Sequence, residues 1–243
     1  MNETQKRITG LLAAGLLGTS ALQAYDWKQA KTQLPPRQQA IAAVAALTAV
    51  GDLSNLSQAF HDALDSGLSV NECKEIVLQL YAYTGFPRCL NAAGVLEQTL
   101  LARQKAGKTD PAGQEAQEIA SGTDKYELGK KNLEVLVGTS LPSHPQSFIQ
   151  ATDTFLKEHL FADIFARGVV SYQEREMATV AALAALGNVA PQLQAHIGMA
   201  LNVGVTPEQA EGIMAVVKKT VGRKTAVQGL KSLNTVLESR QSK

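Results

Sequence analysis

The sequence predicts an all-α fold, on three observations. Alanine, leucine and valine dominate while aromatic residues make up only 5% of the chain, a balance that suits closely packed helices better than sheets. No stretch alternates apolar and polar residues over several positions, as a half-buried strand would. The third observation is an internal repeat. Val44-Ala-Ala-Leu-Thr-Ala-Val-Gly51 matches Val180-Ala-Ala-Leu-Ala-Ala-Leu-Gly187 at an offset of 136, and from Leu56 onward the offset is 137, pairing Ala63-Leu64-Asp65-Ser66-Gly67 with Ala200-Leu201-Asn202-Val203-Gly204. The match runs on to Gly85 and Gly222.

Taken in order, the chain begins with Lys6-Arg7, an apolar run from Ile8 to Leu17, and a small, polar stretch ending at Ala24. That three-part pattern is expected of a secretory signal over residues 1–24, so an exported, periplasmic location is expected. The run is too short to span a bilayer, and no later apolar stretch is long enough, so no membrane insertion is expected after cleavage. Tyr25–Pro36 is a polar lead-in, and Pro35-Pro36 blocks a helix before that point.

Each copy then predicts four helices: a short Ala-rich helix, a second ending at a glycine, a capped third and a fourth. The expected boundaries are 25–105 for the first copy, 106–144 for a linker with one helix, and 145–243 for the second copy. Gly51, Gly67 and Gly85, with their counterparts in copy two, fall where a left-handed residue ends a helix. Ser69 and Glu72 form a capping box ahead of the third helix, and Thr206 and Gln209 repeat it behind Pro207. Leu53, Leu56, Phe60 and Leu64 share one face of the second helix at helical spacing. Between the copies, Gly107–Gly113 reads as a loop. Helical segments follow near Tyr126–Val137 and Pro145–Phe165, with Leu141–Pro145 between them.

The stretch Ser69–Asn91 stands out. It carries Glu75, Gln79, Tyr81 and Tyr83 on one helix, breaks at Gly85-Phe86-Pro87 and is expected to restart near Arg88. This layout resembles the carboxymuconolactone decarboxylase family, in which a Glu-bearing helix runs into a Tyr-x-Gly-Phe-Pro turn and a second helix. Phe161–Arg167 is similar to that family's aromatic-small-x-x-aromatic-x-Arg run, which leads into an Arg-Glu helix, here Tyr172–Leu186 with Arg175-Glu176. His196–Gly204 is similar to its His-x-x-x-Ala-Leu-Asn-x-Gly segment. The resemblance covers residues 37–100 and 150–220 and implies a tandem two-copy member, a homo-oligomer, and decarboxylase or lyase chemistry that needs no cofactor.

Decarboxylation leaves a carbanion or dienolate, so a site needs donors to hold the anion and an acid to deliver a proton. The resemblance makes His196 and Glu75 the catalytic candidates. Tyr83, Arg88, Arg175 and Asn202 are the candidates for holding a small carboxylated or lactone-like substrate. His196 shares a stripe with Leu193 and Ala200, which equally suits a core histidine. Glu75 lies off the Cys73/Val77/Leu80/Thr84 stripe, on a face that is either solvated or meets something. Tyr81 and Tyr83 suit packing, and Cys73 suits the core. Arg88 at a helix start could grip a carboxylate through its planar fork.

The broader family includes alkylhydroperoxidase D-like proteins with a Cys-x-x-Cys and a following His. Here the position three before Cys89 is Phe86 and no His follows, so a thiol-dependent peroxidase using Cys89 is an alternative without its resolving partner. A non-catalytic small-molecule binder is the other alternative. If Ser69–Thr84 is one helix, Cys73 lies near its start and Cys89 beyond its end, on the order of 18 Å away at 1.5 Å per residue, which argues against a bridge. His61, His144 and His159 have no partner at ligand spacing, so no metal site is expected. Phosphate-binding glycine loops are absent, and a formal charge of +1 provides no field to recruit nucleic acid.

At the repeat offset Glu75, Tyr83 and Cys89 correspond to Gly212, Thr220 and Ala226. His196 and Arg175 correspond to Ala59 and Gln39. Each copy keeps a different half of the pattern, so any site is expected to be composite, with Glu75, Tyr83 and Arg88 of copy one meeting His196 and Arg175 of copy two, within a chain or across an oligomer interface.

Overall fold

The computed structural model describes residues 34–142 and 147–242. The segment read as a secretory signal and His144 lie outside them. Among the described residues there are ten α-helices and no strand. The first copy supplies α1 (Pro36–Val50), α2 (Leu53–Asp65), α3 (Val70–Thr84) and α4 (Phe86–Lys105). After the segment 106–124 come α5 (Lys125–Val137) and α6 (Gln150–Thr154). The α6 helix continues with π winding over Phe155–Ile164 and a 3-10 turn over Phe165–Arg167. The second copy supplies α7 (Tyr172–Leu186), α8 (Ala190–Asn202), α9 (Pro207–Thr220) and α10 (Arg223–Gln241). No helix among the described residues is long and apolar enough to cross a membrane.

The copies interlock. The Ala-rich helices α1 and α7 pack against each other at the centre, α3 packs on α7, and its counterpart α9 packs on α1. Alanine on both central helices is what allows this: Ala42, Ala45 and Ala46 of α1, and Ala178, Ala181 and Ala182 of α7, are fully buried, and small side chains let backbones approach. Both copies contribute to one continuous apolar core. A second cluster joins Leu136 of α5 to Leu160, Phe161, Ile164 and Phe165 of the widened helix. There a Cβ at Gly129 would collide with the Lys157 carbonyl, so only glycine permits that approach.

Local signals account for most boundaries. Gly51 and Gly187 cap α1 and α7 at φ 74° and 76°. Capping boxes open α3 at Ser69/Glu72 and α9 at Thr206/Gln209. A third, Ser171/Glu174, opens α7; its Ser-x-x-Glu was present in the sequence but not singled out. Arg37 of α1 ties two of these boxes together, donating to Glu72 Oε1 at 2.6 Å and to Glu174 Oε1 at 2.9 Å. The restart after Gly85 comes at Phe86, two residues before the expected Arg88. Pro87 sits in the first turn, where its missing N–H costs no helical bond, so the turn is tighter than the Gly-Phe-Pro run suggests.

One tertiary lock recurs in both copies. Arg103 of α4 donates to Asp65 of α2 at 2.8 Å, and at the same repeat positions Arg240 of α10 donates to Asn202 of α8 at 2.6 Å. Arg103 also grips Asp110 at 2.7 Å, which anchors the start of the connecting segment. That segment then lies across the N-terminus of α3, where Val70 N and Asn71 N donate to the carbonyls of Pro111 and Ala112. Farther on, Gln117 N donates to the Arg167 carbonyl.

Candidate functional site

The α3–α7 junction holds a buried polar cluster. Glu75, Gln79 and Tyr83 recur every four residues on α3, so they form one row of a helix face. Arg175, Glu176 and Thr179 face them from the N-terminal half of α7. Glu75 is only 4% exposed, so its face is not solvated: α7 covers it. The Glu75 carboxylate receives two guanidiniums, Arg167 Nε at 2.8 Å on Oε1 and Arg175 Nη2 at 3.1 Å on Oε2.

Arg175 is completely buried. Burial pushes its guanidinium below the usual arginine range, while Glu75 pulls it back. Its Nη1 donates to Gln79 Oε1 at 3.0 Å, and Gln79 Nε2 returns a bond to the Arg175 carbonyl at 2.9 Å. The Thr179 hydroxyl donates to that carbonyl as well. Phe165 underlies the guanidinium, with its ring centre 5.6 Å from Arg175 Cζ. An ion pair this deep is held by geometry as much as by charge, because two desolvated groups need nearly all their hydrogen bonds closed.

A second pair lies beyond it. His196 Nδ1 and Glu176 Oε2 are 2.7 Å apart, and both residues are buried. The Tyr83 ring meets the His196 imidazole edge-on at a centroid distance of 5.3 Å. Three polar side-chain atoms of the whole cluster are buried without a hydrogen-bond partner: Arg175 Nε, Tyr83 Oη and Glu176 Oε1. Burial pushes the Tyr83 phenol well above its usual range and Glu176 adds to the shift, while the Thr179 hydroxyl pulls the other way without closing a hydrogen bond.

The cluster opens at its Glu75 end. Glu75 and Arg167 form part of the wall of a cleft of about 910 Å³ between α3, α4 and the connecting segment. Lys74, Cys89 and Val169 also line it, whereas His196 does not. The π-to-3-10 change of winding ends the helix at Gly168 and leaves Arg167 facing α3. Of the Arg167 guanidinium Glu75 engages only Nε, so the terminal nitrogens stay clear of that carboxylate, and the side chain is 34% exposed. Cys89 is buried, and that burial raises its thiol pKa. Cys73 sits in the core with its thiol pushed up to about 12 by burial. Both cysteines are free.

The structure thus brings together Glu75 with Arg175, and Tyr83 with His196, across the two copies. It leaves Arg88 and Asn202 elsewhere. Arg88 is exposed and reaches only the carbonyl of Thr84 on its own side of the turn. Asn202 donates to the Leu136 carbonyl and accepts from Arg240, the copy-two version of the Arg103–Asp65 lock. Arg167 and Lys74 were not singled out from the sequence. Arg167 closes the aromatic-rich run Phe161–Arg167, so a signal for it was present. Among the described residues no group of three or more His, Cys, Asp or Glu could hold a metal ion.

An all-α tandem fold with a composite polar junction defines the class of protein. Carboxymuconolactone decarboxylase family models match residues 19–98 and 150–233. Together the matches cover more than half of the chain, which belongs to that family as a two-copy member. No curated protein matches it.

Proposed function

We propose that the protein carries out cofactor-free acid–base chemistry of the lyase type on a carboxylated or lactone-like molecule held in the cleft. The single observation behind this reading is that a carboxylate, Glu75, and a guanidinium with free donors, Arg167, share the wall of one open volume of about 910 Å³. When CO2 leaves, the electron pair of the broken C–C bond stays on the substrate as a dienolate. The terminal nitrogens of Arg167 hold the oxygen where that charge collects, and the carbon takes a proton from solvent relayed by Glu75. Arg175, locked behind Glu75, fixes the carboxylate so that it need not reorient as charge develops. His196 does not line this cleft and braces Glu176 and Tyr83 behind it.

Cys89 lines the same cleft, which is the observation that favours a thiol peroxidase. Its raised pKa speaks against that reading, because the thiolate is the nucleophile. The test is deuterium incorporation from D2O into a panel of carboxylated lactones, followed by NMR. Glu75→Asp keeps the charge and withdraws the carboxylate by one methylene, and it is expected to slow exchange at least about 100-fold. Exchange that survives Glu75→Asp and disappears in Cys89→Ser would refute the acid–base reading.

A further inference from the structure

The cleft is large for the ligand that acid–base chemistry on a single ring would require. Its volume of about 910 Å³ lies near the top of the range, roughly 300–1,000 Å³, of pockets that bury drug-sized molecules. A one-ring lactone would leave most of it without contact, and unfilled apolar wall forfeits its dispersion partners.

The wall is also segregated. Charge gathers where Arg167 meets Glu75 at 2.8 Å, and Lys74, also in the lining, is held to Asn71 Oδ1 at 3.2 Å. Another wall is α4, where the outward Leu90, Ala93 and Leu101 and the buried Leu96 line the cleft. Leu90 and Leu101 are 65% and 52% exposed. From Leu90 to Leu101 the helix advances about 16 Å at 1.5 Å per residue. Two further carboxylates in the lining limit where an anion can go. Glu115 accepts from Asn71 Nδ2 at 3.0 Å, and Glu97 lies exposed on the α4 side. The Arg167 fork is therefore the place for an anionic head, with an apolar body running from it along α4.

We infer that the ligand of this cleft is an elongated, largely apolar acid, a lactone or keto acid carrying an alkyl or aryl-alkyl chain, whose anionic head meets Arg167 and whose chain lies against Leu90 and its neighbours on α4. The inference rests on the reading of the cleft as the substrate site and names the substrate class that fits it.

The experiment is fluorescence titration of the full chain with 11-(dansylamino)undecanoic acid, competed with decanoate or butyrate. The expected result is saturable binding, displaced by decanoate and not by butyrate at the same concentration. Arg167→Gln and Leu90→Glu, both at partly or largely exposed positions, are each expected to weaken it about tenfold, with circular dichroism confirming the fold. Equal displacement by butyrate, or binding that neither variant changes, overturns the inference. So does loss of self-association in Leu90→Glu at unchanged probe affinity, which assigns the α4 face to a second copy of this chain. A thermal shift with small lactones and none with undecanoate sinks the inference while leaving the acid–base reading intact. Tight undecanoate binding without any deuterium exchange keeps the ligand class and removes the chemistry.

Discussion

The α3–α7 junction and the α9–α1 junction are assembled from equivalent helices and filled in opposite ways. At the first, Glu75, Gln79 and Tyr83 meet Arg175, Thr179 and His196 in a buried, hydrogen-bonded cluster. At the second the same positions are Gly212, Val216 and Thr220 against Gln39, Ala43 and Ala59. The side-chain volume lost there leaves a cleft of about 440 Å³ lined by residues that include Gln39, Ala40, Ala43, Ala59, Val216 and Thr220. The helices pack in both cases, so the fold does not require the polar cluster. Buried ion pairs contribute little net stability compared with well-packed apolar side chains. Keeping one such cluster in one copy, at the wall of the larger cleft, therefore points to chemistry rather than folding.

The sharpest way to break this comparison is to remove one polar group at each junction. Glu75→Gln strands the fully buried Arg175, and urea unfolding is expected to show a loss of about 3–5 kcal/mol. Gln39→Ala at the opposite junction is expected to stay within about 0.5 kcal/mol. Similar losses at the two sites would mean that the junctions are energetically alike. A smaller effect is expected from filling the second cleft. Ala43→Leu adds apolar surface where space exists and should stabilise by about 1 kcal/mol, a rise in Tm of roughly 2–4 °C. The counterpart change Thr179→Leu removes the hydroxyl that serves Gln79 and Arg175 and should lower Tm instead. The smallest effect is expected at Tyr83. Its Oη is buried without a partner, so Tyr83→Phe should leave stability unchanged or raise it by up to about 1 kcal/mol. A loss of more than that would reveal a hydrogen bond from Tyr83 to a bound water or ligand.

Much of this architecture is legible residue by residue, because caps and turns are local chemistry. The glycines that end α1 and α7, the Ser69/Glu72 and Thr206/Gln209 boxes and the repeat offset place the helices without tertiary information. The winding of Phe155–Ile164 is different. Nothing in its apolar and charged residues distinguishes π from α, and Gly129 on the facing helix is what admits its backbone. Arg88 looks like an anion grip from its place after the turn, yet it is exposed and bonded only to the Thr84 carbonyl one turn back.

The sequence alone determined the all-α class, the two copies, the division of polar residues between them and the family they mark, all of which depend on spacing within short windows. Only the tertiary structure decided that α7 covers Glu75, that Arg167 reaches it across 92 residues of chain, and that Asn202 serves a helix lock. Burial and charge pairing depend on which distant helix lies opposite, and that is settled by packing the whole chain at once.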